Sequence, residues 1–423
     1  SFWEKARTPE PNRYYNQYPY NYYNQFQSPV REQKKAVGHA VRGVYMYTAM
    51  ADMAAKTGDK ELFKACRTIW DDIVNCQMYI TGGIGSTNSG EAFTKDYDLP
   101  NDTNYSETCA SIGLIFFAQR MLMTETDSTY GDVIEQALYN TVLGGMNYEG
   151  NRFFYVNPLE SVPEVCYDNT QRHHVKPERQ KWFACACCPP NIARLIGGLW
   201  DYIYTAAEDT VNVHLYIAGD AKVQVGNSIL NITQTTSYPE NGRIHFKVQA
   251  DTDREITLAL RIPGWAEHYT LRLNGQELTP DKVEKGYAYL TRPWAEAAEL
   301  EVEFDMQPRF MCANRKIHYD LGRTAIMRGP VVYCLEEVDN GKDLHLLEVN
   351  PDGKYEIKDS EICGNPVKVV EMDGFRVVDT AKKDGELYHV YKKKEKEAVE
   401  LKFVPYYTWA NRGENEMMVW VRV

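Results

Sequence analysis

The chain has 423 residues, of which 47 are basic and 59 acidic, and its net charge is −12 at pH 7. This acidic balance argues against nucleic acid or an anionic membrane as a partner, because both select basic surfaces. Hydrophobic residues make up 43% and charged residues 25%, a balance typical of a globular protein and not of a disordered one. No apolar run of about 18 residues is present, so we predict no membrane span. At roughly 150 residues per domain, the length predicts two or three domains.

The segment 13–27 is rich in tyrosine and asparagine, with the sequence RYYNQYPYNYYNQFQ. Two interpretations stay open for it: a surface loop, or a wall of tyrosines that faces a sugar. No basic stretch followed by an apolar one, the pattern of a signal peptide, occurs near the start. This leaves a bacterial-type cytoplasmic and a periplasmic location equally open.

As far as residue 207 the apolar residues recur with a helical period. Steps of three and four residues in 33–57 predict a helix that ends at Gly58, and glycine is a common residue just after a helix. The same criterion predicts four more helices, at residues 60–78, 106–123, 130–143 and 189–204. Consecutive helices joined by loops are typical of stacked helical hairpins.

From residue 208 onward, apolar and polar residues alternate. Examples are TVNVHLYI at 210–217, ITLALRI at 256–262 and LEVEF at 300–304. Turn signals such as Asn274-Gly275 separate these segments. Many short strands with regular turns predict antiparallel β-sandwiches. The length of this part favours two of them, at 208–307 and 308–423.

The first candidate site is the glycine-rich loop TGGIGS at 81–86, which Gly90 and Glu91 follow. Glycines at this density allow positive φ and close backbone approach, so they predict a shaped loop. The spacing does not match a dinucleotide-binding loop, and no strand precedes it. Glu91 is a candidate acid/base, because a carboxyl beside apolar walls can keep its proton near neutral pH. A solvated loop glutamate is the alternative.

Four metal-ligating side chains lie in two other segments. Glu107 and Cys109 fall at a predicted helix start, where a distorted first turn would let both reach one ion. Cys187 and Cys188 come just before another predicted helix, whose N-terminus favours thiolate. One carboxylate and three thiolates have the number and softness of tetrahedral zinc ligands. A structural zinc site, a vicinal disulfide and a redox pair stay open as alternatives.

At these residues the sequence resembles the β-L-arabinofuranosidase family, glycoside hydrolase family 127. The matching segments are GHAVR (38–42), GEAF (90–93), YSETCASIGL (105–114), RFFYVNP (152–158) and ACCPPNIARL (186–195). The resemblance implies an (α/α)6 helical barrel followed by antiparallel β-sandwich domains. It also implies an enzyme that releases β-linked L-arabinofuranose, or a related pentose-like sugar, from plant glycans with retention of configuration.

The resemblance further implies a zinc ion held by one glutamate and three cysteines, with one cysteine as the nucleophile. A thiolate would then stand where most retaining glycosidases have a carboxylate. Carried over by position, the zinc ligands are Glu107, Cys109, Cys187 and Cys188, the nucleophile is Cys187, the acid/base is Glu91, and the sugar contacts are His39 and Tyr155. Cys185 lies nearby and receives no ligand role.

The number of helices departs from the family pattern. Five predicted helices precede the strands, whereas six helical hairpins need more than twice as many. We therefore expect residues 1–207 to form only the C-terminal part of the barrel domain. Such a part would expose an apolar inner face, and pairing in a homodimer is one way to cover it.

Two other functions fit the same motifs. A carbohydrate-binding protein with a structural zinc would bind a glycan without cleaving it. A glycosidase with a carboxylate pair, Glu91 with Asp98 or Asp102, would keep its activity after zinc is chelated.

Overall fold

The computed structural model describes residues 20–378, 387–388, 390–391 and 393–423. Residues 13–19 of the tyrosine-rich segment 13–27 lie outside these residues, so the two interpretations of the segment are not addressed. The described chain begins with helices and continues into three sheets. In this part of the chain no helix is long and apolar enough to cross a membrane.

Seven α-helices and one short strand lie within residues 20–197, the first part of the chain that the structure describes. They are α1 (Tyr20–Tyr23), α2 (Ala40–Thr57), α3 (Lys60–Asp72), α4 (Thr108–Leu122), α5 (Ser128–Ala137), β1 (Glu160–Ser161), α6 (Pro163–Asp168) and α7 (Cys188–Gly197). The five helices expected from the sequence correspond to α2, α3, α4, α5 and α7. The short helices α1 and α6 were not predicted.

The helix ends follow local hydrogen bonds that periodicity does not register. Helix α2 starts at Ala40, seven residues later than predicted, because His39 caps it by accepting the Arg42 N–H at 3.5 Å. It ends at Gly58, whose φ of 67° is the left-handed conformation that glycine adopts easily. Helices α3 and α5 each continue into a five-residue π turn, at Ile73–Gln77 and Leu138–Val142, where the sequence predicted unbroken helix.

Helix α4 is the centre of the helical part. It is apolar on all sides and buried over nearly its whole length, as expected for a helix surrounded by others. Gly113 lets α2 approach closely, because a Cβ at this position would lie 2.4 Å from Val44 Cγ2. On another side, Trp70 of α3 packs edge-on against Phe117 and Tyr130.

Residues 204–304 form two sheets, one of five strands and one of six. The strands are β2 (Tyr204–Ala207), β3 (Thr210–Val213), β4 (Gly219–Val225), β5 (Ser228–Thr236), β6 (Arg243–Ala250), β7 (Glu255–Arg261), β8 (Tyr269–Leu273), β9 (Gln276–Glu277), β10 (Lys282–Glu284), β11 (Tyr287–Pro293) and β12 (Ala298–Phe304). Their orders are β10-β11-β7-β3-β2 and β4-β5-β6-β12-β8-β9. Strand β2 pairs with β3 although it precedes residue 208, and the domain limits at 207 and 307 stay predictions.

The third sheet has ten strands and includes β1 from the helical half. Its other elements are β13 (Pro308–Met311), β14 (Arg323–Arg328), β15 (Val331–Glu336), α8 (Glu337–Asn340, a short helix beside the sheet), β16 (Leu347–Val349), β17 (Tyr355–Ile362), β18 (Asn365–Val378), β19 (Glu395–Pro405), β20 (Met417–Met418) and β21 (Val421–Arg422). The order is β1-β20-β15-β19-β18-β16-β21-β14-β13, with β17 added on β18.

Two strand pairs depart from the antiparallel arrangement that prevails in the sheets. Strands β3 and β7 run parallel, as do β16 and β21. Between β3 and β7 the chain forms β4, β5 and β6 in the opposite sheet, so it re-enters beside β3 in the same direction. A connection of that length permits a parallel neighbour where a tight hairpin does not.

Candidate functional site

Glu107, Cys109, Cys187 and Cys188 converge at one point. One ligand atom from each lies within 4.8 Å of all the others. Cys187 Sγ is 3.3 Å from Glu107 Oε1 and 3.7 Å from Cys188 Sγ. Glu107, Cys109 and Cys188 are buried, whereas Cys187 is half-buried. The structure thus brings together residues that lie 80 positions apart in the sequence.

Glu107 and Cys109 share this point because Glu107 is not inside the helix. It immediately precedes α4 with φ −58° and ψ 136°, so its side chain is free of the helical spacing that would point it away from Cys109. The N–H of Thr108 donates to the Tyr155 carbonyl at 3.0 Å, and Glu107 also pairs with Val156 in an isolated bridge. These bonds hold the helix start against the segment that carries Tyr155.

Cys187 and Cys188 are held at the beginning of α7. Cys187 is the residue before the helix, Cys188 is its first residue, and Pro189 follows in the first turn, where the missing N–H has no helical partner. Asn191 Nδ2 donates to the Tyr45 hydroxyl at 2.8 Å and ties α7 to α2. The helix dipole favours negative charge on both thiols.

Hydrogen bonds among the four groups do not neutralise their electrostatic interactions, and the pKa values of three of them are shifted. Burial raises the pKa of Glu107 well above its usual range, and the nearby charge of Cys187 raises it further. Hydrogen bonds from Cys187 and Cys188 lower the pKa of Cys109 to about 5, and the bond to Cys109 raises the pKa of Cys188.

Glu107 Oε2 is buried and has no hydrogen-bond partner in the described part of the chain. A buried carboxylate oxygen without a hydrogen-bond partner, beside three sulfurs, is costly unless a positive charge lies next to it. One oxygen and three soft thiols are donors that suit a transition-type divalent cation. The residues therefore fit a metal site.

Glu91 lies beside this cluster and is paired with His39. Its Oε2 is 2.9 Å from His39 Nε2, and single oxygen or nitrogen atoms of His39, Glu91 and Glu107 all lie within 4.8 Å of one another. Glu91 has φ 51° and follows Gly90 at φ 70°, so the loop holds it in a left-handed conformation that is rare for glutamate. The glycine-rich loop therefore shapes the backbone, as predicted.

The protonation of Glu91 differs from the expectation. Burial is the largest influence and raises its pKa, but the hydrogen bonds from His39 and Tyr105 and the charge of His39 together outweigh it. The pKa of Glu91 is lowered. The expected retention of a proton near neutral pH is wrong for the free protein, because the sequence does not reveal the two hydrogen-bond donors.

Tyr155 lies beside the metal-ligand cluster and near Glu91. Cys187 Sγ lies 3.4 Å from its hydroxyl, and its ring packs against Tyr105 and Phe183 with centroid distances of 5.9 and 5.7 Å. Burial, helped by the negative charge of Glu107, raises the pKa of Tyr155, so this hydroxyl keeps its proton. His39 and Tyr155, the two predicted sugar contacts, therefore both border the cluster.

The carboxylates of the alternative pair have other partners. Asp102 forms an ion pair with Arg172 at 2.5 Å, and Asp98 accepts a long hydrogen bond from Tyr319 at 3.5 Å. Neither belongs to the group formed by His39, Glu91 and Glu107. Cys185 is exposed and is not part of the metal cluster.

Sequence reasoning missed Tyr105. This residue hydrogen-bonds Glu91, and its ring stacks on His174 at a centroid distance of 6.0 Å. It lies in the YSETC motif, two positions before Glu107, and that proximity was the only signal in the sequence.

The architecture and the site define a class of proteins. Its members have a helical domain that contains a Glu–Cys–Cys–Cys cluster, and β domains follow it in the chain. Comparison with family sequence profiles identifies the family of this chain. The GH127 β-L-arabinofuranosidase catalytic domain matches residues 1–200, the GH127 middle domain residues 210–306, and the glycoside hydrolase family 127 C-terminal domain residues 308–422. The chain belongs to glycoside hydrolase family 127.

Similar proteins agree with this assignment. The chain is 40% identical over 417 residues to a non-reducing end β-L-arabinofuranosidase from Bifidobacterium longum subsp. longum. It superimposes with a TM-score of 0.93 and 45% identity on the crystal structure of a GH127 β-L-arabinofuranosidase from Geobacillus stearothermophilus T6, over 99% of this chain. A third protein, described as a glycoside hydrolase, has 31% identity and a TM-score of 0.88 over 95% of this chain.

The chain is shorter than these relatives. It accounts for 61% of the length of the Bifidobacterium protein, in a match that covers 95% of this chain. It accounts for 65% of the Geobacillus chain and 68% of the third protein. The high TM-scores support the assignment of the helical part to the family's catalytic domain.

Proposed function

We propose that the protein is a retaining glycoside hydrolase that releases β-linked L-arabinofuranose, or a related pentose-like sugar, from plant glycans. The observation that carries the proposal is the juxtaposition of a half-buried thiol, Cys187, with the carboxyl Glu91 around the shared neighbour Glu107. A nucleophile and a proton donor at one site are what a retaining mechanism needs. The names of two relatives supply the sugar.

We assign Glu107, Cys109, Cys187 and Cys188 as the ligands of a zinc ion. When bound, zinc would keep the thiols deprotonated at neutral pH and fix their direction. The orphaned oxygen of Glu107 and the three clustered sulfurs support this assignment.

Cys187 is the nucleophile of the proposal. Cys109 and Cys188 are buried, so Cys187 is the cluster thiol with the most solvent access for a sugar. In the first step its thiolate attacks the anomeric carbon, the C–S bond forms and the glycosidic C–O bond breaks. In this step Glu91 must carry a proton, which it gives to the leaving oxygen.

In the second step Glu91 acts as a base. Its carboxylate takes a proton from water, the water oxygen attacks the anomeric carbon, and the C–S bond breaks to restore the Cys187 thiolate. The low pKa of Glu91 in the free protein suits this step better than the first. Tyr155 and His39 contact the sugar, and His39 also orients Glu91.

The test combines turnover with metal analysis. The protein is assayed on an aryl β-L-arabinofuranoside and on β-L-arabinofuranosyl oligosaccharides, with bound zinc quantified in the same sample. We expect Cys187→Ser to lower kcat/KM by about a thousandfold or more, because the covalent step is lost. Cys185→Ser is the matched control and should keep its rate, since Cys185 is exposed and outside the cluster.

Three results would contradict the proposal. Near-native turnover of Cys187→Ser would remove the nucleophile assignment. Glycan binding with a full complement of zinc and no sugar release would instead favour a carbohydrate-binding protein with a structural metal, in which Glu91→Gln changes nothing. Activity that survives complete removal of zinc would favour a carboxylate mechanism.

A further inference from the structure

A cavity of about 280 Å³ lies where the helical part meets both β regions, apart from the candidate metal centre. Asp132 and Gln136 of α5 line it from the helical part, Trp265 from the loop after β7, and Arg309 from β13. It contains none of the residues assigned above to metal, nucleophile, acid/base or sugar contact. A cavity with polar groups from three parts of a chain is a candidate ligand site.

Arg309 is the least satisfied group in this cavity. Its NH2 donates to the Gly329 carbonyl at 2.8 Å, but its Nε is buried without a hydrogen-bond partner among the described residues. No carboxylate of the described residues lies within ion-pair distance of it. Burial lowers its pKa, and the charge of Glu267 opposes that shift. A half-buried guanidinium without a directly bonded anion is costly, so proteins normally pair such groups.

Trp265 gives the cavity an aromatic wall at a fixed position. The Arg309 guanidinium carbon lies 5.8 Å from its ring centroid. The indole N–H donates to Glu135 Oε2 at 3.3 Å, and Tyr238 stacks on the ring at a centroid distance of 6.4 Å. Trp265 remains half-buried, so part of its surface can still contact a ligand.

Asp132 and Gln136 add hydrogen-bonding groups one helical turn apart on the same face of α5. The Gly264 N–H donates to Asp132 Oδ2 at 3.1 Å, and Arg261 NH1 pairs with Asp132 Oδ1 at 2.5 Å. The side-chain amide of Gln136 is bonded to the Ile80 carbonyl at 2.5 Å. Both side chains are therefore oriented, and a carboxylate has acceptor capacity beyond two bonds.

We propose that this cavity binds a monosaccharide that carries a carboxylate, of the uronic acid class. The planar fork of Arg309 matches a carboxylate, the sugar ring packs against Trp265, and the ring hydroxyls donate to Asp132 and Gln136. The volume suits one sugar ring. This site does not depend on the proposed hydrolase activity.

The test is direct binding of D-galacturonate and D-glucuronate to the whole protein, by calorimetry and by saturation-transfer NMR. D-Galactose, D-glucose, acetate and inorganic phosphate serve as probes that lack either the carboxylate or the ring. We expect a uronate to bind at least tenfold more tightly than each of these. Arg309→Met should weaken uronate binding at least tenfold, and Arg309→Lys, which keeps the charge without the fork, should weaken it less.

Arg315→Met is the matched control, because Arg315 is exposed and close in sequence; it should bind uronate normally. Cys187→Ser should also bind uronate normally, which separates this cavity from the candidate metal centre. Arg309→Met also loses the hydrogen bond to the Gly329 carbonyl, so its melting temperature is measured together with binding to detect a structural effect.

The proposal is overturned if no uronate binds, if the uncharged sugars bind as tightly, or if uronate binding is lost in Cys187→Ser. It is also overturned if Arg309→Met lowers the melting temperature while uronate binding is unchanged, because Arg309 would then be structural.

Discussion

Glu91 and Glu107 are two carboxyl groups of one site whose pKa values are displaced in opposite directions. Glu107 is almost fully desolvated and lies against Cys187, so its charged form is disfavoured. Glu91 is less buried and accepts hydrogen bonds from His39 and Tyr105, so its charged form is favoured. Carboxyl groups whose pKa values are shifted in opposite directions typically have different roles in one mechanism. This contrast supports a ligand role for Glu107 and a proton-transfer role for Glu91.

Replacement of His39 tests whether this residue sets the pKa of Glu91. His39→Ala removes a hydrogen bond and a positive charge that lower the pKa of Glu91, so this pKa should rise. If Glu91 must be protonated in the first step, the fall of kcat/KM on the alkaline side should move to higher pH. The measurement is the pH dependence of kcat/KM for the parent and the variant.

Tyr155→Phe is the control for that experiment. It removes a proposed sugar contact without removing a hydrogen bond of Glu91, so it should lower the rate and leave the alkaline fall in place. A shift of equal size in both variants would contradict the assignment of the shift to His39.

Much of the site could be predicted from the sequence, because its chemistry is concentrated in residue types with few other uses. The adjacent Cys187 and Cys188, and a glutamate two positions from a further cysteine, suggest a metal site alongside a vicinal disulfide and a redox pair, and the family resemblance selects the ligand set. The pKa of Glu91 could not be predicted, because it depends on Tyr105 and His39, which only the folded loop brings to it. Arg309 carries no sequence signal at all.

The glycine-rich loop shows where a single side chain controls how two segments pack. Gly82 has φ 75°, and a Cβ there would lie 2.5 Å from the backbone of Ala137 at the end of α5. Backbone cannot move aside as a flexible side chain can. The loop that leads to Glu91 therefore rests directly on helix α5, and glycine is required on both conformational and steric grounds.

We expect Gly82→Ala to lower the free energy of unfolding by about 3–5 kcal/mol, the sum of left-handed strain and overpacking. Gly58→Ala is the matched control. Gly58 has φ 67°, but no atom lies within 4 Å of the point that a Cβ would occupy, so only strain of about 1 kcal/mol is added. Urea denaturation measures both. Equal losses would mean that contact with Ala137 has no energetic consequence.

Among the larger elements, the order of helices followed by strands was predictable and the exact limits were not. Periodicity indicates which face is buried, and it continues through the π turns after α3 and α5. There Ile73, Gln77 and all of Leu138–Val142 are buried, but the hydrogen bonds change. Strand direction was the other failure. The parallel pair β3 and β7 depends on which sheet the intervening strands join, and alternation of residues carries no information on that choice.

Asp320 links the helical half to the third sheet. It is buried, and Asn101 Nδ2 donates to its Oδ1 at 2.7 Å. Burial raises its pKa from 3.8 to about 6, so the folded protein binds this proton more tightly than the unfolded chain does. The stabilisation from this group is therefore complete below about pH 4 and is lost as the pH rises through about 6.

Asp320→Asn should remove that pH dependence. The variant should gain stability relative to the parent between about pH 4 and pH 7, by up to about 3 kcal/mol, because a carboxyl no longer has to ionise in a buried site. Denaturation at several pH values measures the difference. Asp253→Asn, at an exposed position, should give a constant difference over the same range. A relative gain that shrinks with rising pH would reverse the sign and contradict the assignment.

Arg261 joins the helical part to the five-stranded sheet through a buried ionic network. Its side chain is fully buried, and it contacts Asp132 at 2.5 Å and Glu135 at 2.6 Å on α5, while Nε donates to the His214 carbonyl at 2.5 Å. The packing is tight, because a Cβ on Gly131 would lie 2.5 Å from the Arg261 side chain. Glu135, with 1% of its surface exposed, has no access to water if this partner is removed.

We expect Arg261→Met to destabilise the fold by about 3–5 kcal/mol, because it leaves the Glu135 charge buried and uncompensated. Replacing both partners, in Arg261→Met with Glu135→Leu, should recover much of that loss, since an apolar pair of similar volume needs no counter-charge. Arg272→Met, which breaks an exposed ion pair in the neighbouring sheet, should cost little. Chemical denaturation followed separately by helical and aromatic signals measures all three.

If the double variant is as unstable as the sum of its parts, the network acts by packing and not by charge. If the two signals separate only when Arg261 is replaced, this network is what makes the helical and β parts unfold together.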